Sequence, residues 1–368
     1  MARKLKSDTV LFTATLLLLI VSIAWVYSAS AVKAGQSRAA DPEYFMVRQL
    51  MWVALGVSAM LVVMRVDYRV LQSRLVAWVL VAVTALALVA ALFSPRTNNA
   101  HRWLGYGGLG IQPSEFAKLV VIPLVAMALG RRLEDDAPLE PELMRIGTVL
   151  LVFGVLILEE PDMGNTVMLM AIAGTMLFVA GLAYKWVLVA PVAVVPMLYL
   201  MAWLAPYRFR RLTSFLEPQA DPLGANWQVT QSLYAVGSGG IWGKGFMEGV
   251  QKLFYLPEAH SDFIYAVIAE EKGLVGATFV LGCFALIIWR GVLVARRAPD
   301  AFGSLVATGI TALIGLQGLV NLSVVLKMLP AKGIALPFVS AGGSSMVVSL
   351  VAMGILLNVS QRASAAEL

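Results

Sequence analysis

The chain has 368 residues, of which 60% are hydrophobic and 14% charged, with a mean hydropathy of +0.81. That composition excludes a soluble globular domain and points to an integral membrane protein. The net charge of +6 suits anionic lipid head groups or an anionic substrate, and nothing in its distribution argues for nucleic acid.

The first element is an apolar run at 8–28 behind the basic segment MARKLKSD. Small residues in YSASAVKA imitate a cleavage site. An apolar stretch of about 20 residues nevertheless exceeds the ~7–15 of a signal peptide, so the run reads as an uncleaved anchor. Further runs lie at 48–66, 75–94, 115–130, 146–158, 165–183, 186–205, 263–290, 302–326 and 343–359. Most approach or exceed the ~20 residues needed to cross ~30 Å of hydrocarbon. Backbone in lipid must bond within its own segment, so the runs are expected to be helices. Those at 115–130 and 146–158 are short and read as buried or extended by polar ends.

The fold class expected is an all-α integral membrane protein of about ten transmembrane helices, forming one polytopic domain over 1–368. With the N-terminus inside, fourteen Lys and Arg residues fall on inner segments and seven on outer ones, setting the long loop aside. The bias favours N-in and C-in. It leaves a charged cytoplasmic loop at 131–145 and a large extracytoplasmic loop at 206–262, between helices seven and eight. Cys283 is alone within an apolar helix, so no internal disulfide is expected, and one Cys with two His residues makes no metal-ligand set.

Polar residues gather toward one side under this topology. Arg48 begins the second helix, as a cavity charge or a snorkelling residue. Glu115 and Lys118, in QPSEFAKL, are three residues apart and share a helix face, as an intrahelical ion pair or a cavity charge pair. EEPDMGNT (159–166) joins helices five and six. PYRFRRL (206–212) reads as a basic, aromatic interface anchor. In the long loop, SGGIWGKG allows close backbone approach to a ligand. Lys244 and Lys252 there are candidate point charges for phosphate, without the spacing of a P-loop. LPEAHSDFIYAVIAEEKG (256–273) then places Glu258, His260, Asp262, Glu270 and Glu271 beside long apolar spans. Charges so placed are expensive and are read as functional by default. Asp262 also suits a helix N-cap, and His260 a solvated loop. The Gly-Gly pairs in GYGGLG and in KMLPAKGIALPFVSAGGSSM suggest irregular backbone at membrane depth, tolerated only around a buried or wet cavity.

Four of these segments, RWLGYGGLGIQPSEFAKL, EPDMGNT, LPEAHSDFIYAVIAEEKGLVG and LPAKGIALPFVSAGGSSM, together resemble the SEDS family (FtsW, RodA and SpoVE) over about 10–360. VQKLFYLPEAHSDF and LPAKGIALPF are more similar to the division branch than to the elongation branch. One departure is Ala341 in SAGGSS, where the family commonly has Tyr.

The resemblance implies a peptidoglycan glycosyltransferase of the bacterial cytoplasmic membrane. Such a protein polymerises lipid II at the outer face, beside a class B penicillin-binding protein and other divisome or elongasome membrane proteins. It implies an essential acid at Asp262 and cavity charges at Arg48, Glu115 and Lys118. The chemistry agrees: a sugar hydroxyl needs a base, and partial desolvation strengthens a carboxylate in that role. The departing pyrophosphate needs cations nearby, which suits Arg48 and Lys118, with Glu115 positioning Lys118 and His260 assisting. No cofactor is required, and a divalent cation is an open option. A lipid II flippase, which needs access from both faces, is the alternative in another class.

Overall fold

The computed structural model describes residues 7–35, 41–95, 101–105, 110–135, 139–181 and 226–366. Among the described residues the secondary structure is helical, apart from one isolated β-bridge, Leu104 to Ile111. The helices are α1 (Thr9–Gly35), α2 (Tyr44–Val63), α3 (Arg74–Leu92), α4 (Pro113–Asp135), α5 (Leu139–Glu159), α6 (Met163–Val179), α7 (Trp227–Ser238), α8 (Ile264–Arg297), α9 (Ala301–Val325) and α10 (Gly343–Ala366), with a 3-10 turn at Tyr68–Gln72. Every expected apolar run except 186–205 is a helix at its place. That run, PYRFRRL and residues 136–138 of the charged loop lie outside the described residues.

Among the described residues, seven helices are long and apolar enough to cross a membrane. α6 is shorter, with 17 residues, and α4 carries Glu115 and Lys118 in its first turns. The spans differ in burial. α9 and α10 are 72% and 83% buried and form the centre, whereas α2 and α3 are 22% and 28% buried and turn most of their surface toward lipid. α9 packs on α4, α6 and α8, while α10 packs on α2. With every helix face apolar, this centre is held by packing and by scattered polar side chains rather than by amphipathic stripes.

Ion pairs mark the two ends of the bundle. At the lower end, Arg290 binds Asp8 (2.5 Å), Arg69 binds Asp300 (2.9 Å), and Arg362 binds Asp67 (2.9 Å). Asp300 also accepts the Tyr68 hydroxyl (2.6 Å) and caps α9 through Gly303 N. At the upper end, Lys252 reaches Glu271 (2.6 Å) and Ser28 (2.8 Å), and Ser28 donates to Glu271 (2.5 Å). Lys244 pairs with Glu270 (2.7 Å). Along α1 the two levels, Asp8 and Ser28, stand about 30 Å apart at ~1.5 Å per residue.

α8 is not one straight rod. Gly273 has φ 61° and ψ −156°, and the helix breaks there. The Tyr265 hydroxyl reaches Ala277 O at 3.2 Å, although a straight helix would separate those residues by about 18 Å. The limb 264–272 therefore folds back on the limb 274–297. The glycine-rich loop closes the break: Lys244 N and Gly245 N donate to the carbonyls of Glu270 and Glu271, and Leu274 N and Val275 N donate to Gly240 and Ile241. Groups freed at a broken helix are thus satisfied by one inserted strand of loop. A Cβ on Gly273 would collide with Ile241 O and Gly243 N. Gly273→Ala is expected to cost more than the ~1–3 kcal/mol of the left-handed backbone alone, read as a melting temperature several degrees lower in detergent.

Between α9 and α10, residues 329–342 are not helical, yet Leu336, Phe338, Val339 and Ser340 are buried. Helix side chains satisfy this backbone. Ser22 donates to Val339 O (2.9 Å), Gln317 to Ala335 O (3.0 Å) and Asn321 to Ile334 O (2.7 Å). Ala341 N donates to His260 O (3.0 Å) and Ser340 Oγ to Ser261 O (2.5 Å), so the segment also fastens the chain just before α8. Irregular backbone within a membrane bundle persists only when bonded in this way.

Candidate functional site

Asp262 stands at the start of the folded-back limb of α8. The cap position of α8 is Phe263, with no side-chain cap bond, so Asp262 is not the N-cap residue. The residue is half-buried. Its carbonyl accepts from Asn321 Nδ2 (2.8 Å), and its Oδ2 lies 3.0 Å from where a Cβ on Gly333 would stand. Gly333 is exposed, so on that side the carboxylate borders bare, accessible backbone.

Lys118 is fully buried, and Gln317, which it binds, reaches Ala335 O of the segment whose Gly333 borders Asp262. The Lys118 ammonium binds Glu115 Oε1 (2.9 Å), Asn165 Oδ1 (2.8 Å) and Gln317 Oε1 (3.2 Å). Three acceptors match its three donors, which is what a buried ammonium needs. The intrahelical pair is thus one edge of a network drawn from α4, α6 and α9.

The network continues through Asp162, the N-cap of α6, which accepts from Asn165 N (3.1 Å), Asn165 Nδ2 (2.8 Å) and Gln112 Nε2 (2.8 Å). Gly164 in turn packs on Ile334: a Cβ there would stand 3.3 Å from the Ile334 side chain. The segment 331–338 therefore runs between the start of α6 and the start of α8, with buried polar groups on both flanks.

The other sequence candidates occupy different places. Lys244 and Lys252 hold Glu270 and Glu271, and both glutamates are fully buried; in this arrangement the two lysines pin the long loop to α8. His260 is buried rather than solvated, with its ring 4.7 Å from that of Phe45. Arg48 lies over the Tyr44 ring (5.4 Å) and donates to its hydroxyl (3.3 Å). Ala341 packs on the core, where the family's Tyr would place a ring.

Asp162, Asn165, Gln317 and Asn321 were not singled out from the sequence. Gln317 and Asn321 carried a signal, being the two carboxamides, one turn apart, of a long uncharged helix.

Glu160 is a further surprise. It is fully buried in the α5–α6 connection, and neither carboxylate oxygen has a hydrogen-bond partner. Burial, reinforced by the charge on Asp162 and opposed by Arg102, pushes its carboxyl up to about 8. The folded protein then holds a proton that the unfolded chain releases above about 4.3. Stability should decline as pH rises from about 4.5 to 8 and level off above that. Glu160→Gln mimics the protonated form at every pH. Its unfolding free energy should match the parent near pH 4.5 and exceed it increasingly up to pH 8, by an amount on the order of a few kcal/mol.

The family model described as "Cell cycle protein" (FtsW, RodA, SpoVE) matches residues 8–365. A Trichlorobacter lovleyi protein named "Probable peptidoglycan glycosyltransferase FtsW" is 39% identical over 354 residues, covering 96% of this chain and 93% of the relative. Stage V sporulation protein E of Bacillus subtilis is 39% identical over 362 residues, covering 98% of each chain. Among solved structures, a chain from "Structural coordination of polymerization and crosslinking by a peptidoglycan synthase complex" superposes with a TM-score of 0.77 at 28% identity, covering 98% of this chain and 99% of that one. RodA of Thermus thermophilus superposes with a TM-score of 0.71 at 25% identity, covering 97% of each chain.

Proposed function

Because the chain belongs to the FtsW, RodA and SpoVE family of cell cycle proteins, we propose that its buried charges and Asp262 form the active site of a lipid II polymerase acting in cell division. The protein is a peptidoglycan glycosyltransferase and a multi-pass protein of the bacterial cytoplasmic membrane. Its partner is a class B penicillin-binding protein, in line with the synthase complex that its fold resembles. Other divisome proteins, or elongasome proteins if it works as RodA does, complete the assembly. Ten spans with both termini inside put the upper end of the bundle at the outer face. They also make 206–262 an extracytoplasmic loop of a single domain, 1–368, and 131–145 a cytoplasmic one.

The observation that carries the reading is the pairing of a half-buried carboxylate, Asp262, with a buried cation, Lys118, across one segment at the same end of the bundle. Asp262 accepts the proton of the acceptor sugar's C4 hydroxyl as that oxygen attacks the donor's anomeric carbon. The bond from that carbon to the lipid pyrophosphate breaks, and the pyrophosphate leaves as an anion. Lys118, oriented by Glu115, supplies a fixed positive charge within the site's walls, and Arg48 is the accessible cation of α2. No acid is needed to protonate so good a leaving group. Among the described residues no group of three or more His, Cys, Asp or Glu side chains could hold a metal ion, so a divalent cation would ride on the pyrophosphate with waters and at most one or two carboxylates.

The flippase alternative needs polar access from both faces. Here several lower-end charges are paired with one another, which favours the polymerase. The test is direct. The purified protein with its penicillin-binding partner, given lipid II in detergent, should build glycan polymer. Absence of polymer together with lipid II scrambling in liposomes would replace the polymerase by the flippase.

A further inference from the structure

We propose that Gln317 and Asn321 are positioning residues for the transfer: two carboxamides, one turn apart on α9, that set where Lys118 and Asp262 stand relative to each other. This rests on Asp262 being the base. Both side chains are buried, at 2% exposure each, in a helix with no charged residue and no other carboxamide. Buried amides are costly unless bonded, so their bonds indicate what they are for.

Asn321 gives both amide protons away, to Asp262 O (2.8 Å) and Ile334 O (2.7 Å). Two acceptors on one side fix which end of the amide is nitrogen. Gln317 gives its protons to Ala335 O (3.0 Å) and Ser345 Oγ (3.3 Å), and its Oε1 accepts from Lys118 (3.2 Å). The two amides therefore grip consecutive carbonyls, 334 and 335, of the segment between the two halves of the site. One ties that segment to the base, and the other ties it to the cation. The rigid turn of α9 between them sets the spacing.

Asn321 Oδ1 is left with no partner. Burying an acceptor without a partner is unfavourable, so the side chain is retained for the two bonds it donates. Neither Asp nor Glu can substitute, since a carboxylate donates nothing at neutral pH.

Steady-state polymerisation with the penicillin-binding partner present, over a pH series, tests this. Asn321→Leu should lower kcat about 10- to 100-fold, as a displacement of ~1 Å does, with KM for lipid II within about twofold. Asn321→Ser, which keeps one donor, should fall between Asn321→Leu and the parent. Asn321→Asp adds a like charge beside Asp262 and should move the acid limb of the pH profile upward, a shift that Asn321→Leu should lack. Gln317→Leu should likewise reduce kcat. Should Asn321→Leu fail to fold, Asn321→Ser and Asn321→Asp still decide. If Asp262→Asn is inactive while the folded Asn321 variants keep parental kcat and an unshifted acid limb, α9 does not position the base. If Asp262→Asn itself retains activity, the base is elsewhere and Asn321 has nothing to position.

Discussion

Asp262→Asn is expected to lower glycan polymerisation by roughly 10²–10⁴-fold, the usual worth of a positioned base, while the variant folds and reaches the membrane normally. The substitution keeps the shape of the side chain and removes its capacity to accept a proton. Stability should fall far less than activity, because the bond that Asn321 makes is to the backbone carbonyl of Asp262, which the substitution leaves in place. The informative measurement is therefore a pair: polymer length and yield from lipid II, and the melting temperature of the same preparation. Full polymer yield from Asp262→Asn would remove the base from the mechanism. A large fall in melting temperature would show instead that the residue is structural.

The second large effect concerns Glu115 and Lys118. Lys118 is fully buried and Glu115 nearly so. Breaking such a pair from one side leaves a charge uncompensated in low dielectric, at a cost of about 3–5 kcal/mol. Lys118→Met and Glu115→Gln should each lower the melting temperature strongly. The double variant should recover part of the loss, because neither substitution then leaves an uncompensated buried charge. Activity should not recover with it, because the fixed positive charge proposed for the site's wall is gone. Stability and turnover thus part company in the double variant. Polymer formation restored along with stability would mean that the pair only holds α4 in place.

Much of this was legible in the sequence for a simple reason. Long apolar runs must be helices in lipid, and charges within them stand out because burying them is expensive. That reasoning reached α1 to α6 and α8 to α10, and it reached Asp262, Glu115 and Lys118. It did not reach the fold-back in α8, because hydropathy is blind to one glycine's dihedral angles, and 263–290 looked like a single span. Gln317 and Asn321 escaped notice because a neutral amide barely perturbs a hydropathy profile, although it imposes strict bonding demands once buried. Lys244 and Lys252 looked like ligands for phosphate because their buried carboxylate partners, Glu270 and Glu271, are about 20 residues further along the chain. Glu160 was one polar letter in a polar string, and only its burial without a partner sets it apart.

The ion pairs at the two ends of α1 and α8 have a mechanical consequence. Asp8 holds Arg290 at one level, and Ser28 holds Glu271 and Lys252 at the other. Two helices riveted at both ends cannot slide past each other to suit a thicker or thinner membrane. Mismatch is usually absorbed by tilting or kinking a helix, and here that freedom is removed for the pair that carries Asp262. The lipid has to adapt to the protein, so Asp262, which precedes the limb folded back on this pair, keeps a constant height between the two levels of ion pairs.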